Sequence, residues 1–512
     1  MQRPLCAILA AFVVATAPAQ AQERNPQSSG SAALSTSNAG TAIVRLLQSS
    51  HDLGQQLPVS MRLNMLRRQA LMVYKLRADL GREWANELFT LSFQAKEGHR
   101  AVAQQSAMSV LIRLDPDRAL ELLRSISMEE PEANWSTTPP KLGIAQQVFQ
   151  VLAERDGELV LPVLEQEAEN MGKEGHYPYS AMGFAASRAS NKYWGNNNQQ
   201  AIQLLQSVFE PAFARYRQNT RGYFDDFQFA GMLEVLSGGL PFDSLQPALR
   251  LLVKNLLATD ARKYQFVAEA YTTDGKSTKA DNVIDATILV FGMLINRDPE
   301  LVRELESSRP ELKTVLEYTK EDRLSSLVGP GRPEDIRSED RATETRMDAI
   351  DLPRRNPEAA IAKAEQMPDD ERAGTMLEVA RGMAGDHPEQ AAVLVAETQS
   401  KNPPIDDEMQ FSSISAQASV AAAENKKDEL HELLRRGFAY ANSILFEQQR
   451  SDDIHFFPGL GLMIQIGIQF DSDLTTAFME SLPASHLQAE AFLMAASALN
   501  MGRRLPFSSR QQ

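Results

Sequence analysis

The chain has 512 residues, 43% apolar and 23% charged, which is more than one ordinary compact core holds and predicts two domains or one extended array. Its formal charge of −15 excludes a protein built to neutralise nucleic-acid phosphates and disfavours anionic lipid surfaces, since both take clustered Lys and Arg. Cys6 is the single cysteine and lies in a segment read below as removable, so the mature chain is expected to lack disulfides, thiolate metal ligands and a cysteine nucleophile.

The first residues, MQRPLCAILAAFVVATAPAQAQ, place Arg3 before an apolar run from Leu5 to Ala17 and end in Ala19-Gln20-Ala21. This is the pattern of a signal peptide over residues 1–21, with the mature chain starting at Gln22. About 13 apolar residues fall short of the roughly 20 that cross a bilayer as a helix. An exported product is therefore expected, periplasmic or extracellular in a bacterium. The most apolar later stretch, PGLGLMIQIGIQF from Pro458, is short and carries Gln465 and Gln469, so no integral membrane span is expected.

Residues 22–40 are mostly small and polar without a period, which predicts a flexible leader. From Thr41 the apolar residues recur at three and four positions: Ile43, Leu46 and Leu47, then Leu63, Leu66, Ala70, Val73 and Leu76. That spacing predicts amphipathic helices. Breaks are expected in EEPEANWSTTPPK from Glu129, GKEGHYPYS from Gly172, TTDGKSTKAD from Thr272 and KNPPIDDE from Lys401. No convincing series of alternating strands stands between them.

The longest Pro, Gly and charge-rich connection is VGPGRPEDIRSEDRATETR from Val328. It reads as a linker over 329–346 between an N-terminal helical-repeat domain, 41–328, and a C-terminal one, 347–505, before a tail at 506–512; a long loop within one superhelix fits it equally. From Arg332 to Glu408 there are 10 basic and 19 acidic side chains, read as a solvated acidic face.

Four related phrases, DPDRALELL from Asp115, DPELVRELE from Asp298, NPEAAIAKAE from Asn356 and HPEQAAVLVAE from His387, put a polar residue directly before Pro116, Pro299, Pro357 or Pro388. They read as helix starts, since a side chain can cap the free amides and proline loses no hydrogen bond in the first turn. Ala119, Ala359 and Ala391 are expected where a neighbouring helix comes close, with Val302 the exception. LEVARGMAGDHPEQAAVLVAETQ from Leu377 resembles the inner part of a tetratricopeptide-type hairpin. Its 31-residue spacing from Pro357 to Pro388 is shorter than the roughly 34 of that family, so the resemblance is to the broad class of tetratricopeptide-like and HEAT-like α-hairpin repeats. That class implies an all-α fold, a right-handed α-solenoid of antiparallel hairpins in one or two arms, acting as a scaffold with a peptide-binding concave surface.

The seven histidines are scattered without a zinc spacing, and no GxSxG elbow, SxxK or phosphate loop occurs, so no metal, cofactor or catalytic residue is assigned. The most unusual composition gathers His176, Tyr177, Tyr179, Tyr193, Trp194, Tyr223, Phe224, Asp225 and Asp226. Aromatic bodies with polar tips suit peptide or sugar binding, and the adjacent acids suit carboxylate chemistry. The competing reading makes the rings core packing and the Asp pair a helix cap. The leading expectation is an exported, noncatalytic scaffold for a protein or peptide in the cell envelope. The alternative is an all-α, toroid-like carbohydrate-active enzyme using paired carboxylates.

Overall fold

The computed structural model describes residues 32–128, 139–219, 222–258, 268–272, 277–280, 285–295, 297–308, 324–328, 353, 356–401, 406–450, 456–457 and 459–500. The expected signal peptide, the linker over 329–346 and the tail at 506–512 lie outside them.

The first run of helices is α1 (Ala32–Gly54), α2 (Val59–Val73), α3 (Ala78–Ser92), α4 (Glu97–Leu114), α5 (Pro116–Leu123), α6 (Pro140–Asp156) and α7 (Leu161–Glu174). It continues through α8 (Tyr179–Ser190), α9 (Asn198–Asn219), α10 (Tyr223–Leu236), α11 (Phe242–Ala258), α12 (Asp285–Leu294) and α13 (Pro299–Ser308). The second run is α14 (Pro357–Ala364), α15 (Asp369–Met383), α16 (Pro388–Lys401), α17 (Asp407–Ala423), α18 (Lys427–Arg450), α19 (Leu460–Phe470), α20 (Ser472–Ser481) and α21 (Ser485–Asn500). The fold is all-α in its body. Three short strands add one small antiparallel sheet: β1 (Ala268–Thr272), β2 (Ser277–Ala280) and β3 (Leu324–Val328), in the order β2-β1-β3.

The strands are a small addition to the expected, nearly all-α chain, in which no convincing series of strands stands out. Ser277–Ala280, inside the expected loop from Thr272, pairs with β1, Ala268 standing opposite Ala280, and β3 pairs with the other edge of β1. AEAYT, STKA and LSSLV are too short and too poor in β-branched residues to stand out as a period. The flexible leader is corrected in part, because α1 already runs from Ala32. A helix anchored by packing from Ile43 onward extends backward at little cost, since adding a residue to a formed helix is far easier than nucleating one.

Helix pairing follows one rule through most of the chain. The even-numbered helices α2, α4, α6, α8, α10 and α12 each touch the next in line, and the odd-numbered helices pack beside them. In the second run α15, α17, α19 and α21 do the same. The row's central helices are lined with small residues where they meet. Gly183 of α8 shows why: a Cβ there would stand 3.1 Å from Met232 Cα on α10, so the two backbones lie close and a larger residue would need Met232 to give way.

The two runs are joined through the ends of the chain. Helix α21 packs along α1 and also touches α2, so Ala489, Leu493 and Ala496 belong to the same apolar core as Leu47, Leu66 and Ala70. Ser50 Oγ donates to the Ala489 carbonyl (2.6 Å) and accepts from Gln69 Nε2 (2.8 Å), while Arg68 pairs with Glu490. Buried Ser50 and Gln69 are thus satisfied within the junction, as buried polar groups must be.

Each of the four phrase prolines is the first residue of a helix. Asp115, Asp298 and Asn356 accept hydrogen bonds from the amides of Arg118, Leu301 and Ala359, at 3.2, 3.2 and 3.1 Å. The residue buried against the neighbour is the third after the proline in every case: Ala119, Val302, Ala360 and Ala391. Ala359, expected in that role, is only half-buried, because Ala360 occupies the inward position. Asp471 starts α20 in the same way without a proline, accepting from the Leu474 amide (3.2 Å) with Thr475 buried at the corresponding place.

Candidate functional site

Residues Gly175–Pro178 connect α7 to α8, and α10 begins with the Asp pair in its first turn. Neither carboxylate caps that helix, whose N-cap is Gly222 without a side-chain bond. Both turn inward. Asp225 and Asp226 are 2% and 3% exposed, and they serve two different partners. Asp225 Oδ1 lies 3.0 Å from His176 Nδ1. Asp226 Oδ1 accepts from Tyr216 Oη (2.6 Å), whose oxygen in turn accepts from Asn255 Nδ2 of α11 (2.9 Å).

Aromatic rings pack the rest. Tyr216 stacks on Phe229 with ring centres 4.0 Å apart, Tyr179 meets both rings edge-on at 5.9 and 5.3 Å, and Tyr177 tilts against Tyr179 at 4.7 Å. Phe224 meets the His176 ring edge-on at 5.5 Å. Arg215 stands 4.9 Å from the Tyr177 ring centre and pairs with Glu169. The connection is pinned from α6 as well, where buried Lys141 donates to Glu174 (2.5 Å).

Burial dominates the ionisation of this cluster. It pushes the Asp226 carboxyl up to about 6, against the hydrogen bonds from Tyr216 and Asn255 and with help from the neighbouring Asp225 charge. It also raises the phenols of Tyr177, Tyr179 and Tyr216 well above their ordinary range.

The structure therefore brings His176, Tyr177, Tyr179, Phe224, Asp225 and Asp226 together, as interior packing. Tyr177, Tyr179 and both acids are too buried to meet a ligand from solvent. Tyr193 and Trp194 lie apart from them, past the end of α8. Tyr193 Oη donates to Glu158 (2.7 Å), and the Trp194 ring lies over Gly239, where a Cβ would come within 2.8 Å of it. Tyr223 is in the first turn of α10. Tyr216 and Asn255 were not singled out from the sequence; Tyr216 continues the buried face Leu205, Phe209, Ala212 of α9, and only that spacing marks it.

A second polar cluster was also missed. Glu87 of α3 accepts from His51 (2.9 Å), Gln55 (2.9 Å) and Arg62, and the His51 ring stacks on Trp84 at 4.7 Å. Burial would raise the Glu87 carboxyl, but these donors outweigh it and hold it at about 2. Beside it opens a cavity of about 350 Å³ lined by Arg62, Asn86, Glu87, Thr90, Leu91 and Gln94. Among the described residues no three metal-ligating side chains gather, and no helix is long and apolar enough to cross a membrane.

No known protein family, no characterised protein and no solved structure matches this chain.

Proposed function

We propose that the chain is an exported, noncatalytic α-helical repeat protein of the cell envelope, a right-handed α-solenoid that serves as a scaffold for a protein or peptide. The observation that carries this reading is the serial contact of α2, α4, α6, α8, α10 and α12, continued by α21, α19, α17 and α15 through the paired chain ends. Helices that touch their successors while their partners stand to one side build a long platform, and such platforms hold extended ligands. Arg3 before an apolar run from Leu5 to Ala17, followed by Ala19-Gln20-Ala21, supports export.

The carbohydrate-enzyme reading loses its support at the acids. Paired carboxylates that cleave a glycoside must face the sugar from both sides, whereas Asp225 and Asp226 are enclosed and bonded to His176 and Tyr216. Immobilised mature chain incubated with envelope extract is expected to retain defined polypeptides saturably across salt conditions. Retention of nothing above a control column contradicts the scaffold.

A further inference from the structure

The far end of α2 departs from the acidic character of the chain. Arg67 and Leu71 of α2, its C-cap Tyr74 and the following Lys75 succeed one another at helical spacing, with Leu71 39% and nearby Leu76 37% exposed. Arg113 of α4 crosses to this face: its Nη1 donates to Tyr74 Oη (2.7 Å), and its guanidinium lies 5.6 Å from the Tyr74 ring centre. Lys75 Nζ stands 5.7 Å from the same ring. Neighbouring Arg77 and Arg82 are neutralised by Asp79 and Asp115, but Arg67, Lys75 and Arg113 have no ion pair among the described residues.

Three unneutralised cations around two exposed leucines and a tyrosine, on a chain of net charge −15, define a ligand by complement. We propose that this patch docks an acidic segment of a partner polypeptide, its carboxylates meeting Arg67, Lys75 and Arg113 and its apolar side chains resting on Leu71 and Leu76. Guanidinium and ammonium donors bind carboxylates with charge-assisted bonds, and an apolar floor adds contact area that a purely ionic site lacks. A polypeptide fits better than an anionic bilayer, because the net charge of the whole chain repels a negative surface while a short segment meets only the patch. The proposal rests on the scaffold reading and names the chemistry of what is held.

The test titrates the full chain into a labelled peptide alternating Glu or Asp with Leu, followed by fluorescence anisotropy, beside a peptide with Gln and Asn in place of the acids. Saturable binding of the acidic peptide alone is expected, weakened about tenfold by the double substitution Lys75→Glu, Arg113→Glu and weakened by added salt. The milder Arg67→Gln, Lys75→Gln pair repeats the test should the charge reversal disturb folding. Equal binding by parent and both variants overturns the proposal. So does failure of the acidic peptide to bind, with or without binding of the chain to phosphatidylglycerol vesicles. Envelope capture that is unchanged in the patch variants overturns this site while leaving the scaffold standing; loss of all capture by the parent overturns the scaffold itself.

Discussion

Tyr216 donates its phenolic hydrogen to Asp226 across 2.6 Å inside the interface of α9 with α10, and both side chains are almost wholly buried. A carboxylate in that position is stabilised by its donors and penalised by its loss of water at once, and the penalty is the larger effect.

The sign of the resulting pH dependence follows from that balance. The Asp226 carboxyl titrates at about 6 in the folded chain and at about 3.9 when unfolded, so the folded state holds the proton more tightly. Its contribution to stability is fully present below about pH 4 and is lost as pH rises to about 6, a difference of about 2–3 kcal/mol. Asp226→Asn keeps an acceptor for Tyr216 and cannot ionise. It is expected to raise the thermal midpoint at pH 8 and leave it nearly unchanged at pH 4, by calorimetry of both proteins.

Tyr216→Phe removes a donor and leaves a buried carboxylate with Asn255 nearby. A loss of about 1–3 kcal/mol is expected, greater at pH 8 than at pH 5 because the ionised form needs the donor more. Denaturant melts at the two pH values measure it.

Inward position in the repeated helix start separates two adjacent alanines. Ala360→Leu is expected to overpack the contact of α14 with α15 and cost about 1–3 kcal/mol, whereas Ala359→Leu is tolerated because that side chain is only half-buried. Asn356→Ala removes the cap on the Ala359 amide and costs about 1 kcal/mol. Hydrogen exchange across 357–383 reads all three.

The helical body and the capped starts were legible in the sequence because each depends on residues a few positions apart. Asp115-Pro116 and Asn356-Pro357 carry their cap, their proline and their inward small residue within five positions. Asp471 showed that the cap and the small inward residue suffice without proline. The sheet escaped notice because its pairing joins Leu324–Val328 to Ala268–Thr272, a long-range match that short, weakly apolar strands do not announce. The aromatic and acidic residues were legible as a group, with core packing of the rings one of the two readings, but the partners of the acids were not: His176 and Asp225 meet only when the connection before α8 folds onto α10. Nothing in the neighbourhood of Ser50 signals Ala489, which reaches it only through the tertiary fold.

The junction of the chain ends tests the serial arrangement most directly. Arg68 of α2 and Glu490 of α21 pair across it, and Cys6 is the single cysteine of the chain. In protein carrying Cys6→Ser, Arg68→Cys and Glu490→Cys, a short bismaleimide linker is expected to join the two introduced positions within one chain, at a rate independent of protein concentration. Absence of that intramolecular product, or linkage only between separate chains, contradicts the arrangement of helices on which the platform depends.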